Sequence, residues 1–245
     1  MSKKRKLLVW SLSILLVLGI LFTAFAVFVS IYYKADEDAV SASLSANSIT
    51  VDEKKDFTAF IPREECKTGF IFYPGGKVEH KAYYPLMKTL AEYGIFSAVV
   101  NMPLRLAFFD MDAADKVIDT YPSVTDWYIG GHSLGGAMAA SYASKNESDF
   151  KGLVLLGAYS AEDLSDSDMA VLSVYGSLDG VMNREKYENN LSYMPNKFTE
   201  FIIEGGCHAY FGAYGEQKGD GTATVSNDEQ IYITASQIYQ FINSN

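Results

Sequence analysis

A serine between glycines, placed where an apolar strand-like run meets a helical one, constrains this chain more than any other feature. Trp127-Tyr-Ile129 reads as a short buried strand. Gly130 to Gly136 follows, with Ser133 at its centre, and residues 134–145, rich in Ala and Met, read as a helix. A chain that passes from strand to helix through Gly131-His132-Ser133-Leu134-Gly135 must double back sharply. The positions two before and two after the serine must then be small, and both are glycine. Such a turn strains the serine, exposes its hydroxyl, and sets it at a helix N-terminus, which favours developing negative charge. The bland alternative is a glycine-rich turn with an incidental serine.

The rest of the chain repeats the same alternation. Phe70-Ile-Phe-Tyr73, Ile95 to Val100, Leu153 to Leu156, Val171 to Tyr175 and Phe201 to Ile203 are apolar runs of strand length. Phe57 to Ile61 alternates weakly and suits an edge strand. Helical spacing covers 81–93, 111–120, 183–193 and 228–243. Continuous apolar strands alternating with helices predict an α/β fold with a mostly parallel, doubly wound sheet covered on both faces. Ligands of such sheets bind beyond the carboxyl ends of the strands. Only residues 160–169 are available between the fourth and fifth of the buried strands for an inserted cap, so little or no cap is expected.

The first 33 residues stand apart. Lys3, Lys4, Arg5 and Lys6 precede an uncharged run of 27 residues, Leu7 to Tyr33. About 20 helical residues cross a bilayer core. The expectation is a cytoplasmic basic tail at 1–6, a transmembrane anchor at 7–33 ending in interfacial Tyr32 and Tyr33, a linker at 34–48, and a catalytic domain at 49–245 outside the cell membrane. Ala24-Phe25-Ala26 resembles a signal cleavage site, but the apolar run exceeds the usual core of about 7–15 residues. Residues 34–245 carry 30 acidic and 16 basic side chains. That acidity argues against nucleic acid as a partner and is the ordinary device of a soluble surface.

A serine nucleophile needs a base, and the chain has three histidines. His132 lies inside the turn and is expected to point away from the serine. His80 precedes the nucleophile, whereas chains with this turn carry the acid and then the histidine after it. His208, just beyond the last strand, remains. Among the acids, Glu147 and Asp149 precede a strand and so lie at the wrong end of the sheet. Glu162, Asp163, Asp166 and Asp168 lie in a polar loop. Asp179, in Gly176-Ser-Leu-Asp-Gly180, follows its strand at the catalytic end and is the expected partner of His208, although an aspartate before glycine is also an ordinary turn. Two backbone amides should hold an oxyanion. One belongs to Leu134. The other lies in Pro74-Gly75-Gly76-Lys77, where Pro74 has no donor, Gly76 is favoured and Lys77 is next. Phe108, Phe109, Tyr210 and Phe211 are candidate pocket residues with Lys77, the first two equally suited to the core. Loop 209–226 is either a flexible cover or a fixed part of the fold. Cys66 and Cys207 fall at opposite ends of the sheet, roughly 20 Å apart, and are expected as free thiols.

These motifs resemble the α/β-hydrolase superfamily, in particular its compact branch near the dienelactone hydrolases and small carboxylesterases. The resemblance is nearest to a bacterial group of membrane-anchored hydrolases and leaves their substrate open. It rests on Tyr73-Pro-Gly-Gly, Gly130-Gly-His-Ser-Leu-Gly-Gly136, Tyr175-Gly-Ser-Leu-Asp-Gly180, Glu204-Gly-Gly-Cys-His208, His208-Ala-Tyr-Phe-Gly-Ala-Tyr-Gly215 and Gly219-Asp-Gly221. It spans about residues 50–245. Dienelactone hydrolases carry cysteine where this chain has Ser133, which sets it apart from their lactone chemistry. The resemblance implies hydrolysis of a small-molecule ester or related acyl compound, with no cofactor and no metal. A transferase or peptidase would use the same three residues. A membrane-tethered binding protein with a vestigial triad is the reading from a different class.

Overall fold

The computed structural model describes residues 3–245 and divides into two units, residues 1–32 and 33–245. The first is a single helix, α1 (Lys3–Ser30). Its stretch Arg5–Ser30 is long and apolar enough to cross a membrane, at about 39 Å for a core of about 30 Å.

The second unit is built on one sheet of eight strands among the described residues: β1 (Ile49–Glu53), β2 (Phe57–Pro62), β3 (Thr68–Tyr73), β4 (Phe96–Val100), β5 (Asp126–His132), β6 (Gly152–Leu156), β7 (Ala170–Gly176) and β8 (Phe198–Ile203). Their order is β1-β2-β4-β3-β5-β6-β7-β8. β1 and β2 run antiparallel, and the six strands from β4 to β8 are parallel. The mostly parallel sheet expected from sequence is therefore present. Two details differ. β2 lies inside the sheet, and the edge belongs to β1, whose short Ile-Thr-Val-Asp-Glu sequence carries little apolar signal.

Strand parity builds two cores. Phe70, Phe72, Val99, Tyr128, Val154 and Leu172 project to one face. There they meet Leu86, Met87 and Leu90 of α3 (Tyr84–Glu92) and Ile238 and Phe241 of α7 (Asn227–Ser244). Ile71, Tyr73, Ala98, Ile129, Leu153 and Leu155 project to the other. That face is covered by α4 (Ala113–Thr120) and α5 (Leu134–Ala143). Each fully buried aliphatic or aromatic side chain stabilises the fold by about 1.5–3 kcal/mol. A short helix, α6 (Arg184–Asn189), follows β7. Residues 157–169, between β6 and β7, hold no helix or strand.

The segment read as a linker is not one. Residues 37–44 form α2 (Glu37–Leu44), capped by the Asp36 carboxylate accepting from Ala39 N–H, and its Val40 and Leu44 pack on the core. Tyr33, assigned to the anchor's end from sequence, lies beyond α1 and forms a parallel bridge with Val78. Its N–H donates to Lys77 O at 2.8 Å, and its O accepts from Glu79 N–H at 2.9 Å. Ala35 N–H donates to Glu79 Oε2 and Asp36 N–H to Ala213 O. The strap does not show in local sequence, because the partners of Tyr33, Ala35 and Asp36 N–H lie more than forty residues away.

Four such hydrogen bonds, at about 0.5–1.5 kcal/mol each, amount to a few kcal/mol before α2 is counted. A chain starting at Tyr33 should therefore keep its melting temperature in calorimetry. One starting at Ser45 should melt lower by about 6–12 °C; a difference under about 2 °C would show that the strap and α2 contribute nothing.

Candidate active site

β5, β6, β7 and β8 end in register, with His132 opposite Leu156, Leu156 opposite Val174, and Gly176 opposite Ile203. The loops beyond these ends meet. Ser133 leaves β5 with φ 52° and ψ −123°, a conformation that a side chain with a Cβ rarely takes. Ser133 N–H donates to Leu156 O at 2.9 Å, which fixes the turn against β6. The sequence explains how the turn closes. A Cβ on Gly131 would sit 2.6 Å from Tyr73 O, and one on Gly135 would collide with the carbonyl oxygens of Tyr73 and Pro74. Only glycine lets α5 start so close to the end of β3.

Asp179 and His208 come from the loops after β7 and β8. His208 Nδ1 and Asp179 Oδ2 are 2.8 Å apart, and both side chains are almost wholly buried. Oδ1 of Asp179 accepts from Val181 N–H at 2.9 Å and Met182 N–H at 2.8 Å. Burial works against the Asp179 charge, but the His208 hydrogen bond and charge, with those two amides, hold its carboxyl below the usual range. An ionised Asp179 only accepts, so His208 Nδ1 is the donor in this hydrogen bond. Nε2 of His208 is buried with no hydrogen-bond partner among the described residues.

His132, set aside by the sequence reading, packs its ring on His208 with centroids 4.4 Å apart. Burial and the neighbouring His208 charge push its pKa well below the ordinary value, so it is neutral. Its Nδ1 lies 2.8 Å from Tyr83 Oη, which also accepts from Gly75 N–H at 3.0 Å. Tyr83 thus ties the residue before Ser133 to the loop after β3.

In that loop the amides are unequally committed. Gly75 N–H donates to Tyr83, and Lys77 N–H donates to Arg105 O at 2.8 Å. Gly76 N–H has no acceptor among the described residues, and neither does Leu134 N–H at the first turn of α5. The two residues touch, since a Cβ on Gly76 would lie 2.9 Å from Leu134 Cδ2.

The proposed pocket residues separate. Phe108 and Phe109 are about half exposed with rings 4.4 Å apart, so they are not core. Phe211 is wholly buried, its ring 5.5 Å from His132. Tyr210 lines a groove of about 820 Å³ with Asp36, Pro85 and Tyr232, one that Ser133, Asp179 and His208 do not line. Loop 209–226 is packed down at its start, where Phe211, Ala213 and Tyr214 are buried, whereas residues 215–226 are half-buried or exposed. Cys66 and Cys207 are both free. Burial, with the Asp220 charge adding to it, pushes the Cys207 thiol up to about 12, which leaves no thiolate to attack. Among the described residues, no group of three His, Cys, Asp or Glu side chains is placed to hold a metal ion. Two residues beside the Asp179–His208 pair are given no role by the sequence reading. Gly157 has φ 51°, and a Cβ there would press on His208 Nδ1 at 2.9 Å. Asp220 accepts from His208 N–H at 3.1 Å. Its Gly219-Asp-Gly221 setting enters the sequence reading only as part of the resemblance.

Comparison with known proteins follows the geometry. A family model described as "Alpha/beta hydrolase family" matches residues 69–232. No curated protein matches the chain. Among solved structures, a predicted CIB-like hydrolase from Thermoplasma acidophilum has a TM-score of 0.57 at 15% identity, covering 78% of this chain and 99% of that one. Est1E from Butyrivibrio proteoclasticus has a TM-score of 0.59 at 16% identity, covering 81% and 100%. A membrane phospholipase A, described as a bacterial virulence factor, has a TM-score of 0.62 at 12% identity and covers 98% of both chains. These likenesses establish a shared fold.

The histidines also set an acid limit on stability. Burial, with the Lys81 charge, lowers the His80 pKa to about 4 from an ordinary 6.5. The unfolded chain therefore takes up its proton first, and stability falls as pH drops from about 6.5 towards about 4. His80 alone contributes at most about 2 kcal/mol of that loss at pH 5. Urea midpoints at pH 7.5 and 5 should differ less in His80→Gln than in the native chain; equal differences would show that His80 is not held neutral by the fold.

Proposed function

This chain belongs to the alpha/beta hydrolase family, and from that premise we propose that it is a serine esterase held at a membrane by its apolar N-terminal helix, which ends at Ser30, with residues 1–6 cytoplasmic and the catalytic domain outside. The observation that carries the reading is the buried His208–Asp179 pair, whose unpartnered Nε2 belongs to a ring stacked on the residue before Ser133. His208 Nε2 takes the Ser133 proton as Oγ attacks the acyl carbon. The carbonyl π pair moves onto oxygen, which the Leu134 and Gly76 amides stabilise. Asp179 holds the imidazole in its reactive tautomer and stabilises the cation it becomes. Collapse breaks the acyl–oxygen bond, and His208 returns the proton to the leaving alcohol. Water, deprotonated by His208, then attacks the acyl-enzyme; the acid leaves and Ser133 is restored.

A substrate with an apolar acyl chain suits the surroundings. Leu104, Phe108 and Phe109 are exposed on the loop whose Arg105 carbonyl secures Lys77, next to Gly76. The likeness to a membrane phospholipase A, which extends over 98% of this chain, supports a lipid-like ester. The acidic composition supports a partner other than nucleic acid.

Hydrolysis of p-nitrophenyl esters of graded chain length by residues 33–245 tests the assignment. Ser133→Ala should lower kcat by about 10³-fold or more with an unchanged melting temperature. Undiminished turnover would remove Ser133 from the mechanism. In the same assay Asp179→Asn should lower kcat by about 10²–10⁴-fold. A change under about twofold would mean that another acid serves His208.

A further inference from the structure

We propose that Asp220 is a positioning residue that clamps the acid-bearing and base-bearing loops together, a role that rests on the serine-hydrolase reading above. Asp179 and His208 stand on separate loops, after β7 and β8, and their hydrogen bond survives only while those loops keep their spacing. One carboxylate bridges them. Asp220 Oδ1 accepts from Gly180 N–H at 3.1 Å, the residue beside Asp179, and from His208 N–H at 3.1 Å. Oδ2 accepts from Ala209 N–H at 2.7 Å. Oδ1 also accepts from Gly221 N–H at 2.9 Å, which fixes the carboxylate on its own loop. Four amide donors converge on one anion, a number that a hydroxyl has too few lone pairs to accept.

The backbone around Asp220 is shaped for this contact. A Cβ on Gly180 would lie 2.6 Å from Gly219 O, and one on Gly221 would collide with Leu178 O. Residues 219–221 therefore lie directly on residues 178–180. The direct backbone links beyond β7 and β8, Ser177 N–H to Ile203 O and Leu178 N–H to Gly206 O, both at 2.9 Å, stop short of both functional side chains. Asp220 carries the connection on to Gly180, His208 and Ala209. It touches neither a reacting atom nor Ser133, so its effect reaches catalysis through the spacing of Asp179 and His208.

The test uses the full-length protein in detergent, with active sites titrated by a fluorophosphonate so that kcat is counted per reactive serine. Asp220→Ala should lower kcat and the phosphonylation rate together by about 10–100-fold, the scale of a displacement near 1 Å, with KM within about twofold. Asp220→Asn keeps Oδ1 but turns an NH₂ towards Ala209 N–H, and should fall between Asp220→Ala and the native chain. If Asp220→Ala does not fold, Asp220→Asn decides. Gln217→Ala is the control, since the Gln217 side chain accepts only from Tyr214 Oη within the same long loop, and its bond from Asp220 N–H goes to the backbone O that alanine keeps; it should keep native kcat. Rates within about twofold of native in both Asp220 variants would overturn the proposal, as would Gln217→Ala slowing turnover as much as Asp220→Ala. A native chain that takes no label would overturn the triad reading, and the clamp with it; native labelling with unaffected Asp220 variants would overturn the clamp alone.

Discussion

Everything at this site depends on how closely the start of α5 approaches the end of β3. The turn at Ser133 brings the backbone of Gly131 and Gly135 against the Tyr73 and Pro74 carbonyls, at a separation that excludes a side chain. That approach places Leu134 beside Gly76 and leaves both of their amides without acceptors. It also imposes the left-handed φ of Ser133, a conformation that costs on the order of 1–3 kcal/mol and persists because packing on both sides of the sheet enforces it. The small side chains of α5, with Ala139, Ala140 and Ala143 buried, let the helix lie flat on β5 and β6 and hold the turn closed.

The electrostatics follow from burial. A carboxylate away from water is expensive unless several donors face it. Asp179, which is buried, has His208 and two amides; Asp220, only half-buried, has four. His132 answers the same cost differently. Wedged between Tyr83, Phe211 and His208, it is kept neutral by burial and by the neighbouring His208. Around the site the buried groups of these kinds are thus one carboxylate, Asp179, and two imidazoles, whose Nε2 atoms have no hydrogen-bond partner among the described residues.

Much of this was legible in the sequence because the governing contacts are local. Strand parity at Phe70-Ile-Phe-Tyr73 sorts two side chains to each core, and the strand–turn–helix setting of Ser133 needs no distant partner to be recognised. Asp179 and His208 were reached by asking which end of the sheet a loop must occupy, a question that strand order answers. What escaped depends on pairing across long separations. Tyr33 reads as the end of an apolar run until Val78 is placed beside it, and α2 reads as an acidic spacer until a helical surface is available to bury Val40 and Leu44. Asp220 acts on backbone amides of other loops, and Gly157 by leaving room for the His208 and Asp179 side chains, neither of which composition signals. Phe108 and Phe109 look like core by type, yet the short helical turn that carries them ends before the sheet's cover begins.

The strap at Tyr33 also has a mechanical meaning. Its two backbone bonds to Lys77 and Glu79 run alongside Val78, as in a parallel strand pair, so a pull applied at the N-terminal side of Tyr33 loads them in shear. Shear spreads force over several bonds at once, whereas peeling breaks them in turn. The segment that carries this load begins one residue after Gly76. Tension entering the folded unit at its N-terminal end is thus borne first at the rim of the site, and β1 to β8 are shielded behind it.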